Sequence, residues 1–327
     1  MEESSWAGGE KLLRMIRLLA AASLALCVFL GTSDAVSAYD VDLWAKILEE
    51  HTRTVDDIAG TRVDYAALRD SADLRALMVS LDQIDPEQIR SREEKLAFWI
   101  NAYNILAIDL VARHYPVDGI KEIGSWLRPV WKIEAGRIGG RSYSLDAIEH
   151  QILRPLGDPR IHGAVVCASA SCPPLRREPY RRERLDVQLD DNVGHWLADP
   201  RKGLRIDHEQ KRVYLSSIFR WFAADFESTG GALGFVAEYL PETERQWLER
   251  YRAQAEISWL DYDWSLNDLE RIDAPTSAPA SSPGRSRTSR EAASASDLPR
   301  PGACRASRET RPCTRSSARR SPACLGS

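Results

Sequence analysis

Residues 158–176 read DPRIHGAVVCASASCPPLR, and the rest of the chain is best understood from them outward. Asp158-Pro159 makes a turn, and Ile161 to Val166 is a β-branched run, apolar on both faces, as expected of an interior strand. Alternation along a strand puts Ile161, Gly163, Val165 and Cys167 on one face and His162, Ala164 and Val166 on the other. On that reading His162 and Cys167 do not meet directly, and Cys167 is a strand-end thiol directed into the core. Ala168 to Ser171 is a loop of small residues that lets other groups approach its backbone. Cys172 follows as an exposed thiol on a rigid platform, with Pro173-Pro174 forbidding helix behind it.

Towards the N-terminus, Ser144 is placed to cap a short helix in which Leu145, Ile148 and Ile152 face inward. Glu149, four residues after Leu145, points to the same apolar side, with His150 on the flank. A carboxylate there needs either an ion pair, to Arg154 or Arg160, or a site role with a raised pKa. Val130 to Ser144 reads as a hairpin or bulged strand pair around Gly139-Gly140. Ser91 and Glu94 form a capping box that opens a helix running to His114, where Pro116 stops it. Apolar residues occupy two stripes of that helix, the pattern of an element buried between layers. Asn101 and Asn104 ride on it and need hydrogen-bond partners. They tie down a neighbouring loop or, alternatively, orient a catalytic His. Tyr39–Arg53 and Ser71–Ile84 are amphipathic helices that cover the body.

Towards the C-terminus, helices are expected over Arg184–Leu197, Ser217–Phe226, Ala232–Leu240 and Pro241–Arg252. A hairpin is expected over Leu204–Ser216, with a closing strand over Ile257–Leu266. The fold class is therefore α/β in the α+β sense: a mixed central sheet with packed helices, over an N-terminal helical cover. The expected organisation is 1–38 leader, 39–90 helical segment, 91–272 main domain and 273–327 tail. There is no phosphate-binding or dinucleotide glycine loop and no His-x-x-x-His, so no cofactor or metal is called for.

The net charge of −4 hides an asymmetry. From Ala274 onward ten Arg face three acidic residues, about +7, which leaves about −11 on residues 1–273. An acidic body argues against nucleic acid as a partner. The expected ligand is a small molecule, peptide or protein of unknown identity. Lys11, Arg14 and Arg17 precede an apolar run from Leu18 to Leu30, followed by Val36-Ser37-Ala38. This is the layout of a secretory leader cleaved after Ala38, giving a periplasmic or secreted protein; membrane attachment follows only if the segment stays uncleaved. The tail is rich in Arg, Ser, Pro and Ala and reads as disordered. Of the six Cys, Cys27 lies in the leader and three in the tail, so Cys167 and Cys172 are the informative pair.

FWINAYN (98–104), SLDAIEHQILR (144–154), DPRIHGAVVCASASCPPLR (158–176), LSSIFRWFAADF (215–226) and YDWSLN (262–267) together resemble the domain of unknown function 547 family. The resemblance names a domain without naming a reaction. It implies that Glu149, His150, His162, Cys167 and Cys172 stand at motif positions.

Several chemistries suit these residues. Cys172 can act as the nucleophile of a hydrolase or acyl transferase, with His162 or His150 as base and Glu149 or Asn101 orienting the ring. Amides of the Ser169–Cys172 loop would then form an oxyanion hole. Alternatively Cys167 and Cys172 form a disulfide, structural or redox-active. Cys172, His150, His162 and Glu149 have metal-ligand types but lack paired local spacing. A non-catalytic binding module with core Cys and His is the remaining reading.

Overall fold

A computed structural model describes residues 39–272. The leader, its cleavage point and the tail expected from the sequence lie outside the described residues. The chain begins with helix α1 (Val41–His51), and Thr52–Thr54 (β1) pairs antiparallel with Thr61–Val63 (β2). Helices α2 (Tyr65–Arg69) and α3 (Ala72–Asp82) follow. Asp40, Asp64 and Ser71 each accept a backbone N–H at the N-terminus of the helix they precede, which sets the three starting points.

Helix α4 (Arg92–His114) is the central element. Its capping box is formed as the sequence predicts, with Ser91 Oγ accepting from Glu94 N and Glu94 Oε2 accepting from Ser91 N. Every residue from Leu96 to Ala112 is buried, so apolar contacts surround the helix on all sides. By length and composition it is apolar enough to cross a membrane, yet it is enclosed by the fold. Trp44, Ile47 and Leu48 of α1 and Leu74, Leu77 and Leu81 of α3 join its cluster, as expected of a helical cover. Each fully buried large side chain contributes about 1.5–3 kcal/mol.

Strands β3 (Gly136–Ile138) and β4 (Arg141–Tyr143) form the predicted hairpin, turning through Gly139 and Gly140, both at positive φ. Ser144 caps α5 (Leu145–Ala147), which widens into a π-helical turn over Ile148–Leu153. Helix α6 (Leu185–Ala198), expected over Arg184–Leu197, buries Leu185, Leu189, Val193, Trp196 and Leu197. Strands β5 (Leu204–Asp207) and β6 (Arg212–Leu215) are antiparallel, helices α7 (Ile218–Trp221), α8 (Gly231–Ala237) and α9 (Glu242–Tyr251) follow, and β7 (Glu256–Trp259) pairs parallel to β6.

The fold is α+β with packed helices, and its sheets are small. The mixed sheet, β5-β6-β7, belongs to a second apolar cluster with Phe219, Phe226 and Phe235, not to the middle of the molecule. Ile257–Leu266 is strand only over its first part. The expected strand Ile161–Val166 is a further correction. Residues Pro159–Gly163 form a 3-10 helix, with Asp158 accepting from Arg160 N at 3.1 Å and Pro159 in the first turn. Helices supply the partners a sheet neighbour would have given. Asn104 of α4 donates to Ala164 O at 3.0 Å and accepts from Val166 N at 2.8 Å, and Asn192 of α6 donates to Gly163 O. Gly163 lies so close to α6 that a Cβ there would sit 2.6 Å from Val193 Cγ2. The apolar run was read correctly as buried, but helices bury it, so strand alternation does not govern which way His162 and Cys167 point.

Candidate functional site

Cys167 and Cys172 come together. Their sulfurs are 2.8 Å apart and both thiols are free. Two features of the loop between them achieve this. Ala168 takes φ +62°, a left-handed conformation that reverses the chain at once, and Cys172 N donates to Ser169 O at 3.1 Å to close the turn. The segment 263–267 then runs beside the loop. Ala170 N donates to Ser265 O, Ser171 N to Asp263 O and Asn267 N to Ala168 O, at 2.8, 3.1 and 2.9 Å. This pairing brings Tyr262 Oη to 3.2 Å from Cys172 Sγ and 3.8 Å from Cys167 Sγ.

The exposures of the two thiols reverse the expectation from the sequence. Cys172 is 3 % exposed and Cys167 is half-buried. The cause is the lost strand: the chain reverses at Ala168, folding Cys172 back beneath Cys167. Cys172 Sγ also accepts from Cys167 N at 3.2 Å. Burial alone would raise the pKa of Cys172. Hydrogen bonds from Cys167 Sγ–H, Tyr262 Oη–H and the amides of Ser169 and Cys167 outweigh it and bring the thiol down to about 6. Cys167, whose proton is directed at Cys172 and which is desolvated, is pushed well above the ordinary thiol value.

A second polar cluster centres on Asp225, in the turn after α7. Arg154 Nε and Nη2 donate to its two carboxylate oxygens at 2.6 and 2.7 Å, and His162 Nε2 lies 2.7 Å from Oδ2. Burial would raise the Asp225 pKa, but these partners hold it far below the usual carboxylate range. His162 is 2 % exposed, stacked on Phe222 at 4.2 Å between centroids, and its pKa is lowered by burial. With Asp225 ionised, Nε2 carries the proton it donates. Nδ1 is left as an acceptor facing Glu149 Oε1 at 3.9 Å.

Glu149 does point inward, and it forms an ion pair with neither arginine considered from the sequence. Arg154 is held by Asp225, and Arg160 by Asp158, Asp186 and Asp190. Burial pushes its carboxyl up to about 8; the Arg154 charge opposes this, while Asp146, the Cys172 thiolate and Asp225 add to it. His150 stays on the flank, with Nδ1 accepting from Arg154 at 3.0 Å and Nε2 3.6 Å from Asp146. Desolvation lowers its pKa. Asn101 is a loop anchor: it donates to Tyr180 O at 2.7 Å and accepts from Tyr180 N at 2.9 Å.

Glu149, His162 and Asp225 thus form one group and Cys167, Cys172 and Tyr262 another, coupled by charge. The hydrogen bonds of Cys172 come from Cys167, Tyr262 and backbone, while His162 is paired with Asp225. The amides of Ala170, Ser171 and Cys172 are bonded to carbonyl groups, so those intended for an oxyanion hole hold the loop together. Among the described residues no group of three His, Cys, Asp or Glu is arranged to hold a metal ion. Asp225 and Tyr262 were not singled out from the sequence, although both stand in quoted blocks. The signal available was an Asp in an aromatic helix and a Tyr in an aromatic cluster.

No curated protein and no solved structure matches the chain. A family model, Protein of unknown function, DUF547, matches residues 86–197, a stretch holding both cysteines, Glu149, His150, Arg154 and His162 but neither Asp225 nor Tyr262. Over that stretch the chain is similar to this family.

Proposed function

We propose that the chain performs thiol–disulfide exchange, with Cys167 and Cys172 as the dithiol/disulfide couple. The observation that carries this reading is the pair of sulfurs 2.8 Å apart, with Cys172 as the common acceptor of Tyr262 and Cys167 donors. In the oxidised form a substrate thiolate attacks Cys167 Sγ, the more accessible sulfur. The Cys167–Cys172 bond breaks and Cys172 leaves as a thiolate that its donors are ready to receive. A second substrate thiol loses its proton and attacks the substrate sulfur of the mixed disulfide, expelling Cys167, which takes up a proton. One disulfide is made in the substrate and one is lost from the protein, and a partner disulfide restores the couple. A stabilised leaving thiolate favours the reduced protein and so makes its disulfide an oxidant. Glu149, protonated below its pKa of about 8 and coupled by charge to Cys172, is suited to hold a proton for the exchange. An exported location would supply the oxidising surroundings.

The test is to oxidise the full-length protein, verify the Cys167–Cys172 bond by peptide mass spectrometry, and add a reduced dithiol peptide. Peptide disulfide should appear in step with loss of the protein bond. Intact protein disulfide after long incubation would sink the reading.

Acyl transfer by Cys172 is a second reading, favoured by the raised pKa of Glu149. A nucleophile ionised at neutral pH and coupled by charge to a carboxyl still protonated there is an acid–base pairing. Release of product from peptide or ester substrates, abolished in Cys172→Ser, would favour it.

A further inference from the structure

We propose that Lys202 is the counter-cation of the Cys172 thiolate, a positioning residue that adds to the acidity its hydrogen-bond donors give this thiol. The inference rests on the ionised Cys172 of the exchange reading. Lys202 lies in the turn between α6 and β5, outside the stretch matched by the family model. The turn packs tightly against α6: a Cβ at Gly203 would fall 2.0 Å from Trp196 O. That packing leaves Lys202 only 2 % exposed.

Lys202 Nζ donates to Cys172 O at 2.7 Å and to Ala59 O at 2.8 Å. Among the described residues no carboxylate pairs with it. The two acidic side chains nearest in charge are engaged elsewhere, Asp199 with Arg201 at 2.8 Å and Asp57 with Arg62 at 2.6 Å. Burying an ammonium with no opposite charge is unfavourable. Its carbonyl partners reduce that cost without neutralising it.

The thiolate meets the need. Cys172 acts on Lys202 more strongly than Asp199, Arg201 or Asp57, and opposes the desolvation that brings the amine down to about 8. From the other side, the ionisable groups around Cys172 are Cys167, Tyr262, Tyr65, Tyr103 and Glu149. Each has a raised pKa and is uncharged at neutral pH. Tyr262, Cys167 and the backbone thus supply the hydrogen bonds that weigh most on Cys172, and Lys202 adds charge, bonded to the carbonyl of the residue it acts on.

The experiment follows the rate of Cys172 carboxamidomethylation against pH, by peptide mass spectrometry, in the reduced full-length protein. Wild type, Lys202→Gln, which keeps donors and loses charge, and Lys202→Met are compared. Both variants should move the midpoint up by about one unit, slowing the reaction roughly threefold at pH 6.5 and leaving it unchanged near pH 9. An unmoved midpoint in both, with only lower stability, would mean that Lys202 merely ties two loops together and would overturn the proposal.

If either variant fails to fold, Cys172→Ser provides the reciprocal measurement. Removing the anion should lower the Lys202 midpoint, read from the side-chain carbon resonance of labelled lysine; an unmoved resonance overturns the proposal. A wild-type Cys172 titrating near 9 removes both the counter-ion and the thiolate it serves. An acidic Cys172 that shifts with Lys202 but never oxidises a dithiol peptide upholds the Lys202 role and ends the exchange reading.

Discussion

The thiol cradle and the Asp225 cluster are both buried, yet burial has opposite consequences in them. Around Cys172 the local groups are donors, and they draw a buried thiol into its ionised form. Glu149 also loses water, but among the described residues no hydrogen-bond donor comes with the loss, and its carboxyl remains protonated at neutral pH. Asp225 shows that the difference is not one of residue type. It is a carboxyl like Glu149, but Arg154 and His162 hold it ionised. Desolvation sets the cost of a charge, and the number of hydrogen-bond donors decides whether the charge forms.

The largest test of this contrast removes the cradle's anion. Cys172→Ser should lower dithiol-peptide oxidation by a factor on the order of 10³, since each 1.36 kcal/mol is tenfold and the leaving thiolate is gone. Cys167→Ser should do the same. A variant with residual activity above a tenth of wild type would separate the thiols from the function.

In the second cluster, Asp225→Ala leaves a guanidinium and a buried imidazole without their anion. It should cost about 2–3 kcal/mol in urea unfolding, below the cost of breaking a fully buried pair because Arg154 and Asp225 keep partial contact with water. Cys172 alkylation in the folded protein should change little, which would show the two regions to be separable.

The pH dependence of stability distinguishes them by sign. Glu149 has a folded pKa above its unfolded value of 4.5, so its contribution is complete below 4.5 and is lost as pH rises to about 8. Cys172 has a folded pKa of about 6 against 9.0 unfolded, so its contribution grows as pH rises from 6 to 9. Asp225, depressed, contributes above its ordinary value of 3.8 and loses that contribution in acid. Glu149→Gln should therefore remove a downward slope of about 1 kcal/mol per pH unit between pH 5 and 8, measured by urea titrations at fixed pH. A slope unchanged by the substitution would mean that Glu149 is ionised in the fold.

The smallest effect is expected for Tyr262→Phe. Losing one of several donors should raise the Cys172 midpoint by roughly half a unit to one unit, slowing alkylation about 1.5-fold to threefold at pH 6.5. No shift would assign the acidity of Cys172 to Cys167, the backbone and Lys202.

Helices were legible where the chain carries its own start signals and periodicity. The Ser91–Glu94 box and the apolar stripes of 92–114, the Gly139-Gly140 turn and the helix expected over 184–197 appear as read. Residues 161–166 were misread because an apolar β-branched run reports burial without reporting what buries it. Two asparagines from distant helices, Asn104 and Asn192, decide its backbone conformation. In the site, Glu149 was recognisable because a carboxylate on an apolar face is conspicuous in helical spacing. The partners that separate its charge state from that of Asp225 lie as much as 71 residues apart in the chain, a relation no local pattern carries.

The sequence by itself determined the elements whose signals lie within a turn or two of each other: caps, apolar stripes, glycine turns and the placing of two thiols on one short loop. Tertiary structure alone decided which thiol is ionised, which carboxyl is neutral, and that Lys202 lies beneath Cys172. These depend on how many donors and charges converge on a desolvated atom, and convergence is set by packing between segments that share no local sequence relation.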